Sequence, residues 1–249
     1  MGIVNVTPDS FSDGGSYYIH KHAISHGIKL LEEGADILDL GGESTRPGAT
    51  PVSSDEEIRR VLPVVSELAK TGATISIDTR HSIVMEKAMD AGATIINDIS
   101  ALSEKRSLSV AADTNAYVIL MHMRGTPDTM MQNTEYSDLV SDVSDYLGMR
   151  IAACRMAGIE LERIAIDPGF GFAKTEEQNL KLIDNLNYFS KHKCPISVGL
   201  SRKFGKHKPM QERLPESIAV TIKSVIHGAN IVRVHDVAET RDALRAIQY

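Results

Sequence analysis

Residues 70–78, KTGATISID, and residues 90–98, DAGATIIND, are two versions of one phrase, which returns at 32–40 as EEGADILDL and at 227–234 as HGANIVRV. In each, an amphipathic stretch stops at a glycine (Gly34, Gly72, Gly92 or Gly228), the residue suited to the position just past a helix. A short, nearly all-apolar run follows, as expected of a strand buried on both faces of a parallel sheet. Comparable runs fit at 2–6, 117–121, 163–167 and 195–199, which makes eight strands. Helical patterns fill the intervals, for instance at 54–70, 81–91, 136–157 and 176–189. Eight strand–helix units in 249 residues describe a TIM (β/α)8 barrel, read here as a single α/β domain over 1–249. A doubly wound open sheet is the alternative, but no GxGxxG follows the first strand.

Composition narrows the function classes. A chain of this length buries roughly 70–75% of the surface its unfolded form exposes, so a full core is available. The formal charge of −6 argues against a general nucleic-acid or anionic-membrane binder, though not against a local cationic pocket for a small anion. Cys154 and Cys194 lack metal-type spacing and read as reduced thiols. With no signal peptide and no apolar run near ~18 residues, the sequence predicts a soluble, cytoplasmic protein.

Polar residues gather at the C-terminal ends of the expected strands, where barrels build their active sites. In chain order they are Asn5, Asp39, Asp78, Asn97 with Asp98, His122 and Asp167, then Ser201 to Lys203 and Arg233 with His235. Any one strand-end Asp is more often a helix cap or a buried partner, and Asp39 in particular reads as a core or supporting residue. Eight strands ending this way point to one polar pocket. Carboxylates grip an edge with adjacent N–H groups, Lys donates to a ring carbonyl, and Arg stacks on flat conjugated rings. That set suits a flat heterocycle with an amino-pyrimidinone edge. Asn5, Arg233, His235 and Arg46 suit a phosphate or diphosphate at the rim.

Two loops complete the pattern. MGIVNVTPDSFSDGG, residues 1–15, runs from an apolar strand into a loop that displays Phe11, Asp9 and Asp13; GGESTRPGA, residues 41–49, repeats the design after another strand. Loops of this composition sit at the surface and carry ligand chemistry when a rigid strand positions them.

NVTPDSFSDGG, DLGGESTRPGA, SIDT, IINDIS, LMH, DPGFGFAKT, GLSRK and RVHDV, in this order from residue 1 to about residue 237, resemble the dihydropteroate synthases. The two loops together are highly specific; SIDT or IND alone would be weak. The resemblance implies a TIM barrel that is a transferase of folate biosynthesis. It joins 6-hydroxymethyl-7,8-dihydropterin diphosphate to 4-aminobenzoate, and sulfonamides compete for the aminobenzoate site. Carried over by position, the pterin pocket is Asp78, Asn97, Ile99, Met121, Asp167, Phe172, Gly199, Lys203 and Arg233. Asp167 takes the 2-amino and N3–H edge, Asn97 a ring nitrogen and Lys203 the 4-oxo group, while Arg233 stacks on the ring. Asn5, Arg233 and His235 hold the diphosphate, with Asn5 also a Mg²⁺ contact. Phe11 and Asp13 close over the site, and Thr45, Arg46 and Pro47 wall the aminobenzoate pocket. Asp13 meets the intermediate, orients Arg46 or organises the loop. The resemblance also implies a homodimer.

Two features depart from the family pattern. Met1 stands almost on the first strand, where family members usually carry further residues, so either the barrel floor lacks its usual cover or the chain is cut short. Phe204 follows the SRK triplet where a small hydroxyl residue is common, leaving backbone N–H groups to receive the aminobenzoate carboxylate. Two rivals follow: a pterin-binding paralogue without synthase activity, and a pterin-dependent methyltransferase, which has no reason to keep both loops. The spacing of His20, His22 and His26 reads as a surface face, Met121, Met123, Met130 and Met131 as packing and loop residues, and the pairs Glu32–Glu33, Glu56–Glu57 and Glu176–Glu177 as early or solvated helix faces.

Overall fold

Eight strands alternate with eight helices in the computed structural model, which describes residues 1–7, 16–45 and 48–247, and for 16–18 the backbone alone. The order is β1 (Gly2–Asn5), α1 (Ser16–Glu32), β2 (Ile37–Gly41), α2 (Ser54–Ala69), β3 (Thr74–Asp78), α3 (Ser82–Asp90), β4 (Ile95–Asp98) and α4 (Ser107–Asp113). It continues with β5 (Tyr117–Met121), α5 (Leu139–Met156), β6 (Ile164–Asp167), α6 (Glu176–Asp184), β7 (Ser197–Val198), α7 (Leu214–Ile226), β8 (Ile231–Val232) and α8 (Val237–Ala246). Every ladder is parallel: β1 to β6 form one sheet in sequence order, and β7 pairs with β8. Single parallel bridges, Ile166 to Ile196 and Gly2 to Val234, join the two pieces at both edges. The architecture is a TIM barrel.

Strand alternation divides the residues between two environments. Val4, Leu38, Leu40, Ile75, Ile77, Ile96 and Leu120 join the main core with residues of the surrounding helices. Met1, Ile95, Ile119 and Ala165 form a separate small cluster, with Ile37 and Ile231 against it. These are the neighbours at odd spacing, and they fill the barrel interior at its floor. Above them the same inward parity carries Asp39, Ser76, Asp78, Asn97, Asp167 and Arg233. The barrel is thus apolar at the bottom and polar at the mouth. At the floor, a cavity of about 370 Å³ is lined among others by Met1, Asp36, Val232, Arg241 and Leu244.

Helix ends follow from local chemistry. Ser53 accepts from the Glu56 N–H to start α2, and Asp138 accepts from Val140 and Ser141 to start α5 at residue 139, three residues later than its pattern suggested. Thr175 and Gln178 form a reciprocal capping box on α6. The helical pattern of 176–189 breaks at Asn185, whose side chain donates to the Lys181 carbonyl, and continues as a 3₁₀ turn over Leu186–His192. None of the described helices is long and apolar enough to cross a membrane.

Candidate active site

The mouth of the barrel is organised around Asp39, a fully buried carboxylate on β2. It accepts from Arg233 Nε at 2.5 Å, from Ser76 Oγ at 2.6 Å, and from Asn97 Nδ2, which lies 3.3 Å from both carboxylate oxygens. Arg233 also donates from a terminal nitrogen to Asp78 Oδ2 at 2.7 Å. Register brings these groups together, since Asp39 pairs with Ser76 and Asp78 with Asn97 on neighbouring strands. Arg233 reaches them from just past β8. Burial pushes the Asp78 carboxyl up to about 7; Arg233 opposes the shift and the charge of Asp39 adds to it. Burial alone would loosen the proton of Arg233, but Asp39 and Asp78 more than offset it and hold the guanidinium charged.

The opposite wall is the loop after β6. Asp167 accepts from the Gly169 N–H at 2.7 Å, and Lys203 donates to the Phe170 carbonyl at 2.6 Å. Burial raises the Asp167 pKa, with the Gly169 N–H opposing, and lowers that of Lys203 to about 8. The Lys203 ammonium lies 4.7 Å from the centroid of the Phe172 ring. Phe172 packs with Ile99, Met121 and Met130 in an apolar cluster, with Met123 against it. Gly199 keeps this side open: a Cβ there would stand 3.9 Å from both Arg233 Cδ and Lys203 Nζ. The polar cluster around Asp39 therefore faces a wall that joins an apolar patch of Ile99, Met121 and Phe172 to the charged groups of Asp167 and Lys203.

At the rim, Asn5 is exposed at the end of β1, in register with Gly41. His235 lies beyond β8, its Nδ1 3.0 Å from Ser201 Oγ, which also accepts from the His235 N–H. Beside them Arg202 makes two bonds to Asp236. Of the second loop, Thr45 is half-buried. Its neighbour Glu43 takes two bonds from Arg80 and one from the Val52 N–H, which ties the loop to the end of β3. Phe11, Asp13, Arg46 and Pro47 lie outside the described residues.

Asp39, read as a core or supporting residue, is one: it is fully buried and holds Arg233, Ser76 and Asn97. Several other expectations change. Glu57 is not on a solvated face. It is fully buried and meets His81 Nδ1 at 2.7 Å, because α2 turns that side under the second loop. Asp98 and His122 end strands yet point away from the mouth, one residue out of phase with Asn97 and Met121. Asp98 accepts from Ser100 and Leu102 to fold the next loop. His22 is exposed, but His20 and His26 face the Arg59 and Ile3 carbonyls. Met121, Met123 and Met130 pack as a group, on the apolar wall itself. The Phe204 ring is buried in the main core.

Comparison with known proteins agrees with this geometry. The family described as pterin binding enzyme matches residues 1–235. The dihydropteroate synthase of Escherichia coli K12 is 45% identical over 253 aligned positions, covering 100% of this chain and 90% of that protein. The Xanthomonas albilineans dihydropteroate synthase with 4-aminobenzoic acid is 45% identical with a TM-score of 0.93, covering 100% of this chain and 91% of that one. In its complex with 7,8-dihydropteroate the values are 42% and 0.90, with the same coverage. The chain belongs to the pterin-binding enzyme family, among its dihydropteroate synthases.

Proposed function

We infer that this chain condenses 6-hydroxymethyl-7,8-dihydropterin diphosphate with 4-aminobenzoate, forming 7,8-dihydropteroate and releasing diphosphate and a proton. The observation that carries the reading is the pairing of two walls. Arg233 is held between Asp39 and Asp78 with Asn97 on the same carboxylate, and an apolar slot of Ile99, Met121 and Phe172 lies opposite. A flat ring with a hydrogen-bonding edge fits such a slot.

In this reading Asp167 receives the 2-amino and N3–H edge, Asn97 meets a ring nitrogen and Lys203 donates to the 4-oxo group. Breaking the exocyclic C–O bond leaves a cation on the methylene carbon, delocalised into the reduced ring. Asp78 and Asp167 favour that cation, while Arg233 and His235 favour the departing diphosphate; both are charges fixed in place before the reaction. The aminobenzoate nitrogen then attacks the methylene carbon and loses its proton. Phe11 and Asp13 of the first loop, with Thr45, Arg46 and Pro47 of the second, would exclude water that otherwise traps the cation as an alcohol. The burial of Phe204 supports a mouth left clear for aminobenzoate.

Among the described residues no group of three or more His, Cys, Asp or Glu side chains could hold a metal ion. Asn5 contributes one hard amide oxygen at the rim, a donor set that fits Mg²⁺ as an ion carried on diphosphate oxygens and waters. Mg²⁺ bound there would supply charge neutralisation to the leaving group. The same reading extends to a cytoplasmic homodimer. Exposed Met156, Leu180 and Ile226 on the successive helices α5, α6 and α7 support a partner surface there.

The test is diphosphate release with and without 4-aminobenzoate, with mass spectrometry of the same samples. Aminobenzoate-dependent release with dihydropteroate formed is the expected result. A pterin diphosphate that binds without yielding dihydropteroate would put the binding-protein reading ahead.

A further inference from the structure

Lys174 is a buried lysine that the proposed chemistry does not use, and burial pulls its pKa well below the usual lysine value, with Asp167 opposing. Only 2% of the Lys174 surface is exposed. Its amine lies 3.0 Å from the Gly169 carbonyl, 2.9 Å from the Phe172 carbonyl and 2.8 Å from His122 Nδ1. Two carbonyls therefore accept from this nitrogen, His122 Nδ1 shares a third hydrogen bond with it, and no carboxylate is hydrogen-bonded to it. Burying an amine is costly unless its hydrogen bonds are made, and these three partners make them.

The loop it grips is one that would relax without restraint. Gly169 and Gly171 take positive φ of 74° and 79°, and Ala173 takes 52°, a conformation unfavourable to a residue with a side chain. Gly169 also approaches so close to β5 that a Cβ would fall 1.9 Å from the His122 carbonyl. Tyr136 donates to the Ala173 carbonyl, and Asn179 accepts from the Gly171 N–H. His122, the anchor for Lys174, is itself fixed: its N–H donates to the Asp167 carbonyl and its ring meets Tyr146 edge-on at 5.1 Å. The clamp thus joins β5 to the two carbonyls that bracket the Asp167-to-Phe172 turn.

We propose that Lys174, acting through His122, is a positioning residue for the pterin half of the reaction: it sets the turn that presents the Asp167 carboxylate and the Phe172 ring to the heterocycle. The inference rests on the pterin reading above. On that reading Lys174 contacts neither substrate and aminobenzoate belongs to the loops after β1 and β2, so the two substrates should respond differently when the clamp is cut.

Five proteins are compared: the unaltered chain, Lys174→Met, His122→Leu, His122→Asn and the double variant of Lys174→Met with His122→Leu. The asparagine places an amide near the position of Nδ1 and can accept from or donate to the Lys174 amine. Steady-state kinetics gives KM for each substrate, calorimetry gives the affinity for 6-hydroxymethylpterin, and circular dichroism reports folding. Lys174→Met and His122→Leu are expected to raise the pterin diphosphate KM and weaken pterin binding by about tenfold, a displacement effect. The aminobenzoate KM should stay within about twofold, and His122→Asn should remain close to the unaltered chain. Combining Lys174→Met with His122→Leu should add nothing, because both cut one clamp. The proposal is overturned if either folded variant binds pterin normally, or if both substrates are affected alike. Should Lys174→Met not fold, the contrast between His122→Leu and His122→Asn decides the matter. If the unaltered chain binds no pterin, the functional reading itself has failed, and that result is distinct from all of these.

Discussion

Asp78 and Lys203 carry opposite charges in one mouth, and burial weakens both. In the proposed reaction Asp78 is ionised to favour a ring cation, and burial raises its pKa to about 7. Lys203 is protonated there to give the 4-oxo group a charge-assisted donor, and burial lowers its pKa to about 8. The ionised form of Asp78 accumulates as pH rises, and the charged form of Lys203 is lost a little above it. kcat/KM for the pterin diphosphate should therefore trace a narrow bell, with an acid limb near 7 and a basic limb near 8. Asp78→Asn should erase the acid limb and lower kcat/KM by about 10²-fold. A flat profile in the unaltered chain across this range would show that neither group titrates in the free enzyme. Asp39 makes a stability prediction. Its carboxylate is fully buried and supports Arg233, Ser76 and Asn97, so Asp39→Asn should destabilise the fold by about 3 kcal/mol, read from urea unfolding. Residue types at strand ends were enough to nominate Asp78, Asn97, Asp167 and Arg233. Asp39 was legible as a core or supporting residue, but not that Arg233, Ser76 and Asn97 all meet on it, because only the barrel's curvature brings those strand ends to one carboxylate. Lys174 was hidden more deeply, since FAKT does not reveal that its lysine turns back onto His122, 52 positions earlier.

At the scale of elements, the glycine-punctuated phrases gave strand and helix positions to within a few residues, because a helix stop and a buried strand are both local signals. Where context decides, the sequence was silent. Glu57 lies beside Glu56 on α2, but Glu56 bonds Arg59 and Arg60 at the surface while Glu57 reaches His81, a partner fixed only once β3 and α3 pack against α2. The 3₁₀ turn over Leu186–His192 is another such case, and it ends on a residue that can be tested. Lys193 caps it in the left-handed region at φ 56° with its side chain exposed. A side chain is disfavoured there and contributes no core contact to lose. Lys193→Gly should raise stability by about 0.5–1 kcal/mol, seen as a higher urea midpoint with an unchanged slope. A lower midpoint would mean that the Lys193 side chain stabilises the turn by more than its backbone costs.

The whole barrel closes unevenly. From β1 to β6 the ladders are four or five residues long, apart from a three-residue β3–β4 pairing. The β7–β8 ladder has two residue pairs and joins the rest through one bridge at each edge. The last two strands are therefore the least cross-linked part of the ring, yet they deliver Gly199, Lys203 and Arg233 to the mouth. Arg233 compensates: its bonds to Asp39 and Asp78 run from the end of β8 across the mouth to β2 and β3. A side-chain bridge thus replaces missing ladder, and the group that would greet the diphosphate also helps close the barrel. Hydrogen exchange measured by mass spectrometry tests this coupling. Segment 230–234 should exchange faster than segment 74–78 in the free protein and slow when a pterin occupies the mouth. Arg233→Met should speed exchange at 230–234 while leaving 74–78 nearly unchanged, and pterin should no longer protect the last strand. Equal exchange in both segments would mean that packing under α7 and α8 holds the seam without the guanidinium, and that Arg233 serves the ligand alone.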